Sequence, residues 1–235
     1  MQNVIISYKA LGETPLECLE RVRSEKGISD QIPMTYAGRL DPLAEGLMII
    51  LVGEECKNKQ KYLNLDKVYE VEVLFAIQTD SYDVLGLVES TKNISFEEID
   101  LKKYIGKFDQ KYPRYSSKII SMKDKDQVLP EEMPTKEVEI YSIEKLKNRK
   151  INNKELLEQI LKKIDLVNGD FRQDNIKDKW KSILGESQEF KILKIKVHCS
   201  SGTYMRSLAD KIGKDIGVGA VAFSIKRVKV GKYQV

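Results

Sequence analysis

The chain has 235 residues, of which 41% are hydrophobic and 32% charged, and its formal net charge at pH 7 is +4. This composition is typical of a globular protein and argues against a disordered or collagen-like chain. The sequence has no apolar run of about 18 residues and no basic start followed by an apolar block, which argues against a membrane span and a secretory signal.

The positive charge is concentrated near the C-terminal end. Residues 198–235 contain seven Lys or Arg and two Asp or Glu, a net charge of +5, whereas the preceding residues sum to −1. A basic segment of this kind either contacts a polyanion or is a solvated face, and the overall charge is too mild to decide between them.

The N-terminal half is predicted to alternate strands and helices. Val4–Ile6 is a short strand, and Pro15 begins a helix that extends to about Glu25. The apolar run Leu47–Val52 predicts a buried strand, residues 54–64 a helix, and the alternating residues 69–77 a half-buried strand.

The C-terminal half is predicted to contain an insertion. We expect a helix at Ser95–Ile105, a strand at Val138–Ile143 and a lysine-rich helical segment at about 145–187. A strand at Leu193–Val197 and a helix at Tyr204–Ile216 follow. Because no repeat or low-complexity linker interrupts the chain, we expect one mixed domain over residues 1–235 with a helical insertion.

The sequence lacks the common signatures of metal and cofactor sites. It has one histidine, no P-loop and no G-x-G-x-x-G. The three cysteines are odd in number and widely spaced, which argues against a disulfide framework and against zinc ligation by paired cysteines. The residues therefore show no common metal or nucleotide-cofactor motif, and the cysteine usage favours a reducing cytoplasmic environment.

The turn-rich segment Gly38–Gly46 contains the strongest candidate for chemistry, Asp41. Pro42 disfavours a helical backbone at Asp41 and fixes the next φ, so the carboxylate is held on a stiff turn. A positioned carboxylate suits nucleophilic or acid–base work. Asp-Pro also commonly begins a turn, so these residues alone leave a structural role open.

The same segment resembles the G-x-L-D-P-x-A-x-G motif of the TruB-type tRNA pseudouridine synthases. Five further segments resemble other motifs of that family and occur in the same order: Lys9–Thr14, Gly53–Lys57, Lys67–Val71, Thr79–Gly86 and Val197–Arg206. Any one match would be weak evidence, whereas six in order are specific.

The resemblance implies an α+β pseudouridine synthase catalytic fold, with a mixed, mostly antiparallel central sheet flanked by helices. It implies isomerisation of uridine to pseudouridine in tRNA, at uridine 55 of the T-loop, without a cofactor. The target base must be flipped out of its stack. The implied partner is the T-arm of tRNA, with no membrane and no metal, and the implied state is a monomer without the family's appended C-terminal domain.

The resemblance also implies roles for seven residues. Asp41 is the catalytic residue, attacking either the sugar or the base, and Arg206 pairs with it, although a phosphate contact is the alternative. Tyr69 stacks on the uracil and helps remove the C5 proton, although simple packing on its strand is the alternative. The other implied substrate-binding residues are Tyr204, Ile225, Lys57 and Tyr36, the last at the position of a family histidine.

Two alternatives and two departures accompany this interpretation. The same chemistry could act on another RNA, such as ribosomal RNA, or the chain could be a non-catalytic RNA-binding or RNA-folding module. The segment 117–134 is short for the family's RNA-gripping loop, and the insertion at 145–187 has no counterpart in the resemblance. We expect the lysines of the insertion to contact RNA.

Overall fold

The computed structural model describes residues 3–92, 98–116, 132–184 and 188–234. The strands in these ranges are β1 (Val4–Lys9), β2 (Met34–Ala37), β3 (Ala44–Val52), β4 (Lys67–Phe75), β5 (Ile77–Thr79), β6 (Val88–Thr91), β7 (Gly106–Lys111), β8 (Thr135–Asn152), β9 (Glu189–Cys199), β10 (Ala220–Val230) and β11 (Tyr233–Gln234). The helices are α1 (Pro15–Glu25), α2 (Lys59–Leu63), α3 (Asn153–Asp165), α4 (Gln173–Ile183) and α5 (Met205–Asp215), with 3-10 turns at Gly53–Asn58 and Leu101–Tyr104.

One mixed, mostly antiparallel sheet forms the centre of the described fold, which confirms the expected fold class. Its strand order is β1-β3-β10-β4-β9-β8-β7, with β2 beside β3 and β11 beside β10. The pair β3–β10 is parallel, whereas β4 is antiparallel to both β10 and β9. The separate pair β5–β6 forms a small second sheet.

Helices cover both faces of the central sheet because its strands carry apolar side chains on both. On one face, Val71 and Val73 of β4 share a core with α1 and α5. On the other, Leu74 of β4 and Ile192 of β9 share a core with α3 and α4. The run that forms β3 is buried along nearly its whole length, as expected for a strand covered on both sides.

The insertion begins later than its sequence suggested. Residues 145–152 continue β8 rather than forming part of the helical segment, because β8 pairs with β9 from Ile140 to its last residue, Asn152, which lies opposite Glu189. The helices therefore start at Asn153, whose predecessor Asn152 caps α3 by accepting a hydrogen bond from Glu155 N at 2.9 Å.

The helix expected at Ser95–Ile105 is wrong in its described part. Residues 98–100 are irregular and Leu101–Tyr104 is a single 3-10 turn. The side chains of Leu101 and Tyr104 are buried in the core that α1 and α5 share with one face of the sheet. The remaining residues of that prediction, and most of the segment 117–134, lie outside the described ranges. Within the described ranges, none of the helices is long and apolar enough to cross a bilayer.

Candidate active site

The centre of the sheet brings the predicted site segments together. Asp41 lies in the turn that joins β2 to β3, and Ala44, the first residue of β3, pairs with Ile225 of β10. On the other side of β10, Arg227 lies opposite Tyr69 of β4. The neighbouring β9 leads through a short turn into α5, which carries Arg206 in its first turn.

Two buried cations hold the backbone of the Asp41 turn. Arg227 donates hydrogen bonds to Gly38 O and Arg39 O, at 3.3 and 3.2 Å, and a third to Leu47 O within β3 at 2.8 Å. Lys9 donates from Nζ to Pro42 O at 3.2 Å and to the first residue of β3 at 2.6 Å. Burial lowers the pKa of Lys9 to about 8.

Gly46 is required for the close approach between this turn and β10. Its φ is +112°, and a Cβ at this position would overlap the backbone of Arg227. Any side chain at position 46 would push β3 away from β10, and β10 carries the Arg227 side chain that bonds the Asp41 turn.

The carboxylate of Asp41 is held by the guanidinium of Arg206. Arg206 Nε lies 2.8 Å from Asp41 Oδ2, and its Nη1 donates to Ser81 O at 2.9 Å. The Arg206 side chain is 3% exposed and that of Asp41 32%, so the cation is internal while the carboxylate reaches solvent. Such a charge-assisted pair fixes the orientation of a carboxylate.

A second carboxylate, that of Asp83, lies near the same guanidinium. Its Oδ2 lies 3.7 Å from Arg206 Nε. Burial lowers the pKa of Arg206, but Asp41 and Asp83 outweigh it and hold that pKa above its usual value. Burial raises the pKa of Asp83, which Arg206 and a 2.7 Å hydrogen bond from Ser81 oppose.

Asp41 opens onto a cavity of 280 Å³ that we call the Tyr69 cavity. Four of the residues expected at the site line it: Asp41, Tyr69, Tyr204 and Ile225. Burial raises the pKa of the Tyr69 phenol, so the ring stays neutral. An aromatic face beside a carboxylate in a pocket of this size can accommodate one flat base.

Three of the expected site residues do not line the Tyr69 cavity: Arg206, which pairs with Asp41, and Lys57 and Tyr36. Lys57 lies on the exposed 3-10 turn after β3, where its ammonium pairs with Glu54. Tyr36 lies on β2, with Arg39 and Lys59 near its ring at 5.9 and 5.4 Å. A contact of Lys57 or Tyr36 with the substrate stays a prediction.

Four charged residues have structural roles at the site that motif matching did not assign. Lys9, Lys67 and Asp83 lie in matched segments, Arg227 lies on β10 outside them, and all four are buried. Lys67 lines the Tyr69 cavity and donates from Nζ to Leu63 O at 2.7 Å and to Leu65 O. Burial lowers its pKa to about 8. The sequence signal that could have revealed such residues is a charged side chain at a core-facing position of a strand pattern.

Asp41 also borders a second cavity, of 270 Å³, that we call the Phe171 cavity. Its walls come from five parts of the chain: the Asp41 turn, the loop after β5, the segment after β7, the turn between α3 and α4, and the first turn of α5. The lining includes Asp41, Pro42, Leu85, Phe171, Arg172 and Arg206. Among the described residues, no cluster of three or more His, Cys, Asp or Glu is placed to bind a metal.

Comparison with known proteins points to one family. A family model described as the N-terminal domain of TruB family pseudouridylate synthases matches residues 26–169. The chain is 28% identical over 235 residues to the tRNA pseudouridine synthase B of Caldicellulosiruptor saccharolyticus, and 27% identical over 241 residues to that of Tolumonas auensis. It spans 69% and 61% of the length of these relatives.

Solved structures share the fold. A chain of a Cbf5-Nop10-Gar1 complex superposes with a TM-score of 0.58 at 17% identity, covering 98% of this chain and 49% of the other. A chain of an H/ACA RNP bound to a substrate RNA containing 2'-deoxyuridine superposes with a TM-score of 0.55, also at 17% identity. This chain covers 48% of the second structure's chain.

Proposed function

Because the chain belongs to the TruB family of pseudouridylate synthases, we propose that it isomerises uridine to pseudouridine in tRNA, at uridine 55 of the T-loop. The relatives named tRNA pseudouridine synthase B support tRNA as the substrate. The T-arm is the proposed contact, and the protein acts as a cytoplasmic monomer. One catalytic domain over residues 1–235, with the helical insertion at 153–184, performs the reaction.

The ion pair between Asp41 and Arg206 is the observation that supports this proposal most. An arginine that is 3% exposed is costly to bury unless its charge is used, and here it orients a carboxylate that opens onto a base-sized cavity. A carboxylate fixed at the floor of a cavity suits attack on a flipped-out nucleotide, at the sugar or at the base.

The other residues that line the Tyr69 cavity bind the uracil ring. Tyr69 stacks on the uracil, and its neutral phenol helps to remove the C5 proton, after the new carbon bond has formed, by passing a proton on to the carboxylate of Asp41. Tyr204 and Ile225 close the walls. Lys57 and Tyr36, which lie outside this cavity, contact the RNA around it. The chemistry needs no cofactor, since a carboxylate and proton transfers suffice for breaking and remaking the glycosidic bond.

The substitution Asp41→Asn tests the catalytic role. It keeps the side-chain shape and removes the negative charge, so we expect turnover to be abolished while the thermal unfolding midpoint and the affinity for tRNA stay close to wild type. Turnover is measured as release of tritium from tRNA labelled at C5 of uridine, with pseudouridine mapped by position. Asp30→Asn is the control, because the Asp30 side chain is 97% exposed.

The three hypotheses give different results in this assay. Modification of tRNA by wild type but not by Asp41→Asn supports the proposal, and full activity of the variant contradicts it. Modification of ribosomal RNA alone identifies another RNA as the substrate. Binding of tRNA by wild type with no modification of any RNA identifies a non-catalytic RNA-binding module.

A further inference from the structure

The turn between α3 and α4 forms one wall of the Phe171 cavity, which Asp41 borders from the opposite side. The insertion therefore reaches the candidate catalytic carboxylate, although it lies 129 to 131 positions further along the chain at residues 170–172. Motif matching assigned no function to this segment.

The turn is rigid before any ligand binds. Gln173 donates hydrogen bonds to Val167 O at 3.1 Å and to Gly169 O at 2.6 Å, and its Oε1 accepts one from Phe171 N at 2.8 Å. These bonds fix the backbone on both sides of Phe171, whose side chain remains partly exposed, with 36% of the residue accessible. A fixed, exposed aromatic ring loses little entropy when it binds a ligand.

Arg172 ties this turn to the loop after β5 and to the segment after β7. Its Nη1 donates to Asp80 Oδ2 at 2.9 Å and to Tyr115 OH at 3.2 Å, and its guanidinium carbon lies 4.5 Å from the Tyr115 ring centre. Arg172 is in the left-handed region, with φ +63°, a backbone conformation that costs an arginine about 1 kcal/mol or more. These contacts compensate that cost and hold the wall in place.

The chemistry of the cavity favours a nucleobase over a phosphate. Pro42, Leu85 and Phe171 offer apolar and aromatic surface, and the polar groups stand around it. Three carboxylates line the cavity against two guanidiniums, and both guanidiniums already form ion pairs. A phosphate would meet excess negative charge, whereas a base can stack on the ring and donate to the carboxylates.

We propose that the Phe171 cavity binds the base of a nucleotide adjoining the target uridine in the RNA, with Phe171 as its stacking surface. This inference rests on the proposed function. The two cavities share Asp41, so a uridine in the Tyr69 cavity places its neighbour in the strand at the entrance to the Phe171 cavity. The insertion thereby acts as a reader of the bases beside the reaction site.

A thermodynamic cycle tests this contact. The substrate is a T-arm stem-loop RNA in which each nucleotide flanking the target uridine is replaced in turn by an abasic one. Single-turnover kinetics give the half-saturating enzyme concentration and the maximal rate for wild type, Phe171→Ala and Phe171→Trp. On the intact RNA we expect Phe171→Ala to raise the half-saturating concentration about 5- to 100-fold, the range of base–aromatic stacking, and Phe171→Trp to restore it.

The abasic RNAs distinguish stacking from a structural role. At one flanking position the abasic substitution should weaken wild type and leave Phe171→Ala nearly unaffected, because the contact is already lost. Additive losses at every flanking position, or no loss in Phe171→Ala on intact RNA, would overturn the inference. Leu146→Ala is the control, an exposed apolar side chain that does not line the cavity.

Failure of this inference is distinguishable from failure of the proposed function. If wild type modifies the intact RNA and the cycle is additive, the function stands and the base contact is wrong. If wild type modifies no RNA at all, the proposed function is wrong and so is the inference that rests on it.

Discussion

The carboxylate of Asp41 is held by one buried cation, while the backbone around it is held by two others. Arg206 pairs with the side chain, and Arg227 and Lys9 bond the carbonyl groups of the turn. The side chain of each of these three cations is almost completely buried, so removing any of them leaves unpaired polar groups inside the protein. At the residue scale, the position of the proposed catalytic carboxylate and the stability of the fold therefore depend on the same buried charges.

Lys67 gives the site a measurable pH dependence of stability. Its pKa is about 8 in the folded protein against the usual 10.5, because burial disfavours the charged form. Between these values the folded state is neutral and the unfolded state still binds the proton, so unfolding takes up a proton and rising pH stabilises the fold. Below about pH 8 both states are charged and this dependence vanishes.

The substitution Lys67→Met isolates this effect. We expect the free energy of unfolding of wild type, relative to the variant, to rise by roughly 1 to 3 kcal/mol between pH 8 and pH 10.5, and to stay constant below pH 7. Urea unfolding at intervals of one pH unit measures it. A difference between wild type and variant that does not change with pH would show that Lys67 keeps its usual pKa.

At the scale of elements, the helical insertion is part of the core. Leu156, Ile160, Ile164, Ile176 and Trp180 are each 0% exposed and pack on the face of the sheet opposite α5. The Trp180 indole also donates from Nε1 to Val84 O at 3.2 Å. Val84 follows Asp83, so the insertion supports the loop that carries the second carboxylate beside Arg206.

Trp180 tests how strongly the insertion is integrated. Trp180→Ala should lower the free energy of unfolding by about 3 to 5 kcal/mol, since it removes a fully buried large ring. Trp180→Phe should cost less, about 1 to 3 kcal/mol, because it mainly loses the hydrogen bond to Val84 O. Urea unfolding gives both values, with the exposed neighbour Lys179→Ala as the control within about 0.5 kcal/mol of wild type. A near-neutral Trp180→Ala would show that α4 is peripheral.

At the scale of the whole molecule, the basic C-terminal segment presents fewer exposed positive charges than its Lys and Arg content suggests. Arg206 and Arg227 are internal, and Lys211 and Lys214 pair with Asp215 and Asp210. The positive charge that remains at the surface of this segment comes from Lys226, Lys229 and Lys232. In the insertion, Lys162, Lys177 and Lys181 likewise pair with carboxylates, so lysine content overstates the charge that RNA would meet.

Salt dependence of tRNA binding measures the remaining charge. Replacing Lys226, Lys229 and Lys232 together by Gln should reduce the slope of log Kd against log salt concentration by about 2 to 3, if each contacts one phosphate. The matched controls Lys162→Gln and Lys211→Gln should each change it by less than about 0.5, because these lysines are already paired with acids. Filter binding at several KCl concentrations gives the slopes, and an unchanged slope in the triple variant would place the RNA elsewhere.

Local sequence was sufficient for elements whose pattern matches their surroundings. The alternating residues of β4 and the apolar run of β3 predicted these two strands. Successive side chains of a strand point to opposite faces of the sheet, so alternation indicates one buried face and a continuous apolar run indicates two. The helix expected at Ser95–Ile105 is wrong over its described residues, 98–105, because a polar N-terminal pattern favours a helix without showing how far the helix continues.

The sequence by itself determined the family, the sheet and the aspartate on its stiff turn, because motif order and local periodicity are properties of the chain. Only the tertiary structure decided which charges meet that aspartate, that Lys57 and Tyr36 lie outside the Tyr69 cavity, and that the insertion lines a second cavity beside it. The physical reason is distance along the chain: Asp41, Asp83, Phe171 and Arg206 come from four separate segments. The pairing of β3, β10, β4 and β9, together with the packing of α3 and α4 on this sheet, brings these segments together.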